Sequence, residues 1–223
     1  MKRVTLFAGH YGSGKTNIAV NYALNLRKLG KDVVIADLDI VNPYFRTKDS
    51  LDVLSKAGIE LISPEYANSN VDLPALPQEM YKTVQDRSRY AVLDVGGDDR
   101  GAYALGRYTP YILEENDYEM VFVANFYRPL TPTAREALEI MREIEVAGGI
   151  PFTAIVNNSN IGWDTTPVDV LSTVEKAEEL SRLSGLPVLM TCAESKVAPG
   201  LVGKAENVFP LNLQNKYFDI KGI

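Results

Sequence analysis

Cysteine and histidine are almost absent from this sequence, since its 223 residues include one of each, Cys192 and His10. A single cysteine cannot form an internal disulfide, so we expect the chain in the reducing cytoplasm. Together the two residues cannot supply a cysteine-rich or histidine-rich metal site. Disulfide scaffolds and zinc-cluster proteins are thereby excluded.

Long apolar runs and an excess of basic charge are also missing. The apolar run near the amino terminus covers about six residues, too few for a signal peptide or a membrane span. The 23 Lys and Arg are outnumbered by 29 Asp and Glu, so the net charge of −6 provides no general attraction for nucleic acid. Residues 208–218 are interrupted by Pro210 and lack a basic face, which favours a final strand or packed tail over a membrane-binding helix. We therefore expect neither a membrane nor a nucleic acid as partner.

Apolar runs alternate with amphipathic stretches along almost the whole chain, whose composition is 46% hydrophobic and 23% charged. Continuous apolar strands joined by helices predict an α/β fold: a mostly parallel twisted sheet with helices on both faces, in one domain over residues 1–223. The predicted strands cover residues 4–8, 32–36, 59–62, 90–94, 120–125, 152–157 and 187–191. The predicted helices follow residue 16 and cover residues 49–57, 78–88, 133–147 and 168–183.

One segment, residues 63–77, interrupts this alternation. It contains Pro64, Pro74 and Pro77 together with several asparagines. A loop of this length is either a lid or partner-binding element, or a surface connection without a special role. The sequence leaves both readings open.

The sequence after the first predicted strand fits the pattern G-x-x-x-x-G-K-T. Glycines there allow backbone N–H groups to approach phosphate oxygens, and the following helix directs its positive end to the same place. Lys15 would neutralise the β and γ phosphates, and the Thr16 hydroxyl would bind Mg²⁺. We call this segment the phosphate loop and expect all eight of its residues to bind nucleotide: Gly9, His10, Tyr11, Gly12, Ser13, Gly14, Lys15 and Thr16.

Acidic residues follow two of the predicted strands. Asp37 and Asp39 end the second strand and, by alternation, lie on the same side of the chain. Asp94 ends the fourth strand, and Gly97 soon after it could present its N–H to a γ-phosphate. Carboxylates at this edge suit magnesium coordination and the positioning of water. We expect Thr16, Asp37 and Asp94 around the metal.

Four blocks together, residues 9–16, 35–39, 92–97 and 129–138, resemble the MinD/ParA/ArsA group of P-loop ATPases, also called the deviant Walker A family. The resemblance implies a P-loop NTPase fold and an ATP and Mg²⁺ site. It also implies catalytic roles for Lys15 and for Asp39, which would position the attacking water. Asn157 falls where this family reads adenine; the alternative for Asn157 is a turn residue at a strand end. Residues 157–160 lack the Lys and Asp of a guanine motif, which favours adenine.

The chain departs from that family at His10, which stands where the family has an additional loop lysine. A histidine there either donates to phosphate or packs beside the loop. The nucleotide-sandwich homodimer of the family is thus left open.

The leading functional hypothesis is a slow ATPase that acts as a nucleotide-driven switch coupled to a protein partner. One alternative is an ATP-dependent enzyme similar to dethiobiotin synthetase or the cobyrinic-acid amidating enzymes, in which Arg46 or Arg100 would hold an anionic substrate. A further alternative is a nucleotide-binding scaffold that does not hydrolyse ATP.

Overall fold

The computed structural model describes residues 1–38, 50–63, 78–97 and 99–213. Strands and helices alternate along these residues, as the apolar pattern predicts. The strands are β1 (Val4–Ala8), β2 (Val33–Asp37), β3 (Glu60–Ile62), β4 (Tyr90–Asp94), β5 (Tyr118–Ala124), β6 (Ala154–Asn157), β7 (Val188–Glu194) and β8 (Val208–Leu211). The helices are α1 (Lys15–Lys28), α2 (Leu51–Lys56), α3 (Gln78–Gln85), α4 (Asp99–Gly106), α5 (Thr109–Glu115), α6 (Ala134–Gly148), α7 (Pro167–Leu171) and α8 (Val174–Ser184), with a 3-10 turn at Ala198–Leu201.

The described strands form one eight-stranded sheet in the order β3-β2-β4-β1-β5-β6-β7-β8. Every pairing in it is parallel, including that of β8 with β7. The α/β class is therefore confirmed. The strands β2 to β4 lie on one side of β1, and the strands β5 to β8 lie on the other. The strand order therefore reverses at β1, and α/β proteins bind ligands at the carboxyl end of the strands at such a point.

Hydrophobic cores cover both faces of the sheet. Leu6 belongs to one core with side chains of α3 to α6 and α8, whereas its neighbour Phe7 belongs to the other with side chains of α1 and α2. Successive residues of a strand point to opposite faces, and helices on both faces keep both side chains from water. This explains why all five residues of β1 are buried and why all of them except Thr5 are apolar.

Several elements differ from the sequence prediction. The helices α4 and α5 were not predicted, because two glycines and Pro110 break the pattern over these short elements. The predicted helix over residues 168–183 is two helices, and α7 begins with a capping box formed by Thr166 and Asp169. Residues 208–211 form the strand β8, in agreement with the reading of this segment as a final strand or packed tail.

Three predictions concern residues outside the described part of the chain. The segment 63–77 lies outside the described residues except for Ser63, and so do Asp39 and Arg46. Arg100 falls in the first turn of α4.

Among the helices that are described, none combines the length and apolarity needed to cross a bilayer.

Candidate functional site

The phosphate loop connects the carboxyl end of β1 to the amino end of α1. Gly9, Gly12 and Gly14 have φ angles of 154°, 74° and 90°, conformations that side-chain-bearing residues rarely adopt. A Cβ on Gly9 would also lie 2.5 Å from the carbonyl oxygen of Val123 in β5. These glycines are therefore required by the backbone path, and the loop directs the amino end of α1 to the edge of the sheet.

Lys15 is the first residue of α1 and is buried, with 5% of its surface exposed. Its ammonium donates to the carbonyl oxygen of His10 at 3.3 Å, so the side chain folds back across its own loop. A lysine in this position places a positive charge where the loop N–H groups and the helix dipole also favour an anion.

Asp37 and Asp94 lie side by side at the carboxyl ends of two adjacent strands. They are register partners in the β2–β4 pair, and both are buried, with 2% and 1% of their surfaces exposed. The N–H of Leu38 donates to the carbonyl oxygen of Asp94 at 2.8 Å, which holds the two strand ends together. The structure thus brings two of the three predicted metal ligands together, and Thr16 lies in the first turn of α1.

Gly97 lies against the phosphate loop. A Cβ built on Gly97 would lie 2.7 Å from the Lys15 ammonium nitrogen, 2.7 Å from the Tyr11 backbone nitrogen and 3.0 Å from the Gly9 carbonyl oxygen. Any side chain here would displace the loop or Lys15. The segment after β4 is therefore in direct contact with the phosphate loop, so a shift in the position of one would displace the other.

Asn157 is held by hydrogen bonds to its neighbours at the end of β6. It is fully buried, its amide nitrogen donates to the Thr173 hydroxyl at 3.1 Å, and its amide oxygen accepts from the backbone N–H (3.1 Å) and hydroxyl (2.7 Å) of Ser159. These bonds fix the turn after β6. These contacts match the alternative of a turn residue at a strand end.

The next residue, Asn158, has a position that the sequence did not indicate. Its amide nitrogen donates to the carbonyl oxygen of Ser13 at 2.7 Å. A Cβ on Gly14 would lie only 2.3 Å from that same nitrogen. Asn158 thus ties the turn after β6 to the phosphate loop. The sequence signal for it was only the run of polar residues after an apolar strand.

A cavity of about 390 Å³ opens beside the phosphate loop. It extends from the loop to the turn after β6 and the carboxyl end of β7. Its volume is in the range of small-molecule sites. Residues from all three parts line it, among them Lys15, Thr16, Asn158, Asn160, Trp163 and Glu194.

Cys192 also lines this cavity but lies in β7 and is 1% exposed. Burial raises the pKa of its thiol well above the ordinary range. A protonated thiol is a poor nucleophile and a poor metal ligand, so Cys192 acts as a small apolar side chain.

His10 is half-buried in the phosphate loop. Burial lowers the pKa of its imidazole, and the nearby charges of Lys15 and Arg128 lower it further. One ring nitrogen lies 3.2 Å from the carbonyl oxygen of Tyr11. His10 is not among the residues that line the cavity, and its contact with phosphate stays a prediction.

Comparison with known proteins adds information on the fold. No protein-family model matches the sequence, and no curated protein matches it significantly. Solved structures match. The signal recognition particle 54 kDa protein of Aeropyrum pernix K1, in complex with GDP, is similar with a TM-score of 0.57 and 15% identity, over 85% of this chain and 41% of that chain.

Two structures of the cell division or receptor protein FtsY are similar to the same degree. The Thermotoga maritima protein gives a TM-score of 0.56 at 17% identity, over 84% of this chain and 60% of that chain. The Mycoplasma mycoides protein gives 0.57 at 16% identity, over 83% and 58%. This chain thus spans between 41% and 60% of the length of these three structures.

The parallel sheet, the phosphate loop and these similarities define the class: the chain has the P-loop NTPase fold. At such low identity the similarity concerns the fold alone. Membership of the MinD/ParA/ArsA family, which the sequence motifs suggest, stays a prediction.

Proposed function

We propose that this protein binds a magnesium nucleoside triphosphate at the phosphate loop, hydrolyses it slowly and acts as a nucleotide-driven switch for a partner protein. The phosphate loop carries the proposal. Its glycine backbone, the buried Lys15 and the amino end of α1 converge beside a cavity of about 390 Å³. These are the features that bind phosphate groups in P-loop proteins.

The residues at the strand ends fit a magnesium ion. Asp37 and Asp94 offer carboxylate oxygens on neighbouring strands, and Thr16 offers a hydroxyl at the start of α1. Oxygen donors are the ligands that Mg²⁺ prefers, usually with several waters retained. When bound, the ion would neutralise charge on the phosphates.

Hydrolysis and switching are assigned from the sequence around these ligands. Asp39 follows Asp37 by two residues, and we assign to it the positioning of the attacking water. Gly97 packs against Lys15 and Tyr11, so the segment after β4 would respond to a phosphate in the loop. Three large apolar side chains of this region, Tyr11, Ile161 and Trp163, are 53%, 50% and 50% exposed, which suits contact with a partner protein.

The base is proposed to be adenine, although not through Asn157, whose amide is bonded within the protein. The cavity instead offers Asn158, Asn160 and the ring of Trp163, on which a base could stack. The absence of a guanine motif in residues 157–160 favours ATP.

A test uses the single tryptophan of the chain. Trp163 lines the cavity, so energy transfer from Trp163 to a mant-labelled nucleotide reports binding without any introduced probe. With Mg²⁺ present, mant-ATP is expected to bind and to be displaced by ATP and ADP. Lys15→Ala should weaken binding at least about tenfold, because a charge-assisted contact to phosphate is lost. Equal binding by wild type and Lys15→Ala would refute the site.

Phosphate release in the same preparation tests hydrolysis. Wild type should turn over slowly, and Asp39→Ala should lose turnover while binding mant-ATP as wild type does. A variant that still hydrolyses at the wild-type rate would exclude Asp39 from the reaction.

One observation favours a second candidate, a GTP-dependent switch. Glu194 lines the cavity and is held by an ion pair with Lys196 at 2.9 Å. A carboxylate can accept from both the ring N–H and the amino group of guanine. The structure of the Aeropyrum protein was solved with GDP. Displacement of mant-ATP by GTP in preference to ATP would make this candidate the leading one.

A further inference from the structure

Arg128 lies directly over the phosphate loop, although it comes from a different part of the chain, the turn after β5. A Cβ built on Gly12 would lie 3.5 Å from its guanidinium Nε and 3.6 Å from its Cζ. Arg128 also lines the cavity beside the loop, together with Lys15 and Thr16. No sequence motif pointed to this residue.

The backbone below Arg128 is fixed by a dense set of hydrogen bonds. The Arg128 N–H donates to the carbonyl oxygen of Asn125 at 3.1 Å, and its own carbonyl oxygen accepts from the Thr131 N–H at 3.1 Å. The Thr131 hydroxyl donates to the same Asn125 carbonyl at 2.8 Å, and the Tyr127 hydroxyl donates to the carbonyl of Asp169 at 3.0 Å. Arg128 is therefore presented to the loop by a rigid turn rather than by a mobile segment.

Among the described residues, the guanidinium of Arg128 has few partners. No carboxylate of the described residues forms an ion pair with it, and its buried Nε has no hydrogen-bond partner among them. Lys15 is a second cation at the same loop, and both charges act on His10. An anion between the two side chains would be attracted by both cations and by the amino end of α1.

We propose that Arg128 is a second phosphate-binding residue, which contacts the terminal phosphates of the nucleotide from the side of Gly12 while Lys15 holds them from within the loop. The planar guanidinium can donate two parallel hydrogen bonds to phosphate oxygens. This inference rests on the proposed nucleotide binding and adds that the chain supplies two cations to the terminal phosphates. The site thereby distinguishes tri- and diphosphates from monophosphates.

The experiment compares Arg128→Gln, Arg128→Lys and wild type by energy transfer from Trp163 to mant-labelled ATP, ADP and AMP. Arg128→Gln should weaken ATP and ADP binding about tenfold or more, since a charged hydrogen bond to phosphate is lost. AMP binding should change less than about threefold, because the terminal phosphates are absent. Arg128→Lys retains the charge and should lie between the two. The matched control is Arg135→Gln, which removes an exposed arginine at the start of α6 and should leave all three affinities unchanged.

Each outcome decides the question. Unchanged ATP affinity in Arg128→Gln overturns the proposal, and so does an equal loss for ATP and AMP, which would indicate general damage to the site. A loss in Arg128→Lys as large as in Arg128→Gln, for AMP as well as for ATP and ADP, would assign the effect to packing and overturn the proposal. If wild type binds no mant nucleotide, nucleotide binding itself fails and this proposal fails with it. That result differs from the case in which wild type binds and Arg128 is irrelevant.

Discussion

His10 reports the charge around the phosphate loop, because it is the only histidine of the chain and lies near two cations. Burial lowers the pKa of His10 most, and the charges of Lys15 and Arg128 lower it further. A pKa below the ordinary value of about 6.5 favours the neutral imidazole at pH 7. A bound triphosphate would bring negative charge to the same loop and reverse the effect of the two cations.

We predict that nucleotide binding raises the pKa of His10. The bound state then takes up a proton on His10, so protonation strengthens nucleotide binding. This contribution to the affinity is complete below the pKa of the free protein. That contribution is lost as the pH rises through the higher pKa of the bound protein. Nuclear magnetic resonance of the single imidazole, titrated with and without nucleotide, measures both values without assignment of other signals.

Two variants serve as controls for this titration. Arg128→Gln should raise the His10 pKa in the free protein, because one of its two cationic neighbours is removed. His10→Gln should remove the part of the pH dependence of affinity that His10 supplies between pH 5 and 8. An identical His10 pKa with and without nucleotide would show that the ring packs beside the loop and does not sense phosphate.

At this scale the sequence predicted residues that share one short motif and missed those that act across the fold. The spacing from Gly9 to Thr16 is local, so pattern alone located it. Arg128 and Asn158 contact the same loop from turns that are distant in sequence, and only the order of strands brings them there. Asn157 and Asn158 are adjacent and chemically identical, and the sequence could not show which of the two contacts the phosphate loop.

Strand ends determine the geometry at the scale of secondary structure. The nucleotide-side edge contains the carboxyl ends of β1, β2, β4, β5 and β6, and each contributes a residue or a turn to the site. Most strands were predicted to within a few residues, because continuous apolar runs are the signature of a buried parallel strand. The short helices were not, since Gly and Pro within α4 and α5 hide a pattern of so few turns.

The opposite edge of the sheet has a different anchor, Arg3. Its side chain is 7% exposed, forms an ion pair with Glu115 at the end of α5, and donates to the carbonyl oxygens of Val84, Asp86 and Arg89. One side chain thus connects β1 with the ends of α3 and α5. Its role is structural, because it lies at the start of β1 and the phosphate loop lies at the end.

We predict that Arg3→Met lowers the free energy of unfolding by about 3–5 kcal/mol, because it leaves the partly buried Glu115 carboxylate without its cation. Urea denaturation measures the loss. The double variant Arg3→Met with Glu115→Leu should recover part of it, since both charges are then absent. Below its unfolding midpoint Arg3→Met should bind mant-ATP as wild type does. A weakened affinity would mean that the two edges of the sheet are coupled.

At the scale of the whole molecule, the two hydrophobic cores share one sheet. Leu6 and Phe7 are neighbours in β1 but belong to different cores, and the same holds for Leu93 and Val92 in β4. Neither core can lose its strands without exposing the other. We therefore expect the described part of the chain to unfold in one cooperative transition.

This architecture makes nucleotide binding a contribution to the stability of the entire sheet. The candidate site takes residues from α1, from the turns after β5 and β6 and from the end of β7, so unfolding of any of these elements destroys it. A ligand that binds only the folded state at a hundred times its Kd adds about 2.7 kcal/mol. For a chain of this size that corresponds to a rise in Tm of about 5–11 °C.

We predict that Mg²⁺ with ATP raises the Tm in a single transition by this amount, as measured by circular dichroism at 222 nm and by Trp163 fluorescence. Trp163 fluorescence reports the site, and circular dichroism reports all helices. A single cooperative transition therefore predicts that the two signals shift together. Lys15→Ala should show a smaller Tm shift with ATP than wild type does, because its affinity for the nucleotide is lower. A shift confined to the fluorescence signal would mean that the nucleotide stabilises the turn around Trp163 alone, and that the sheet does not unfold as one unit.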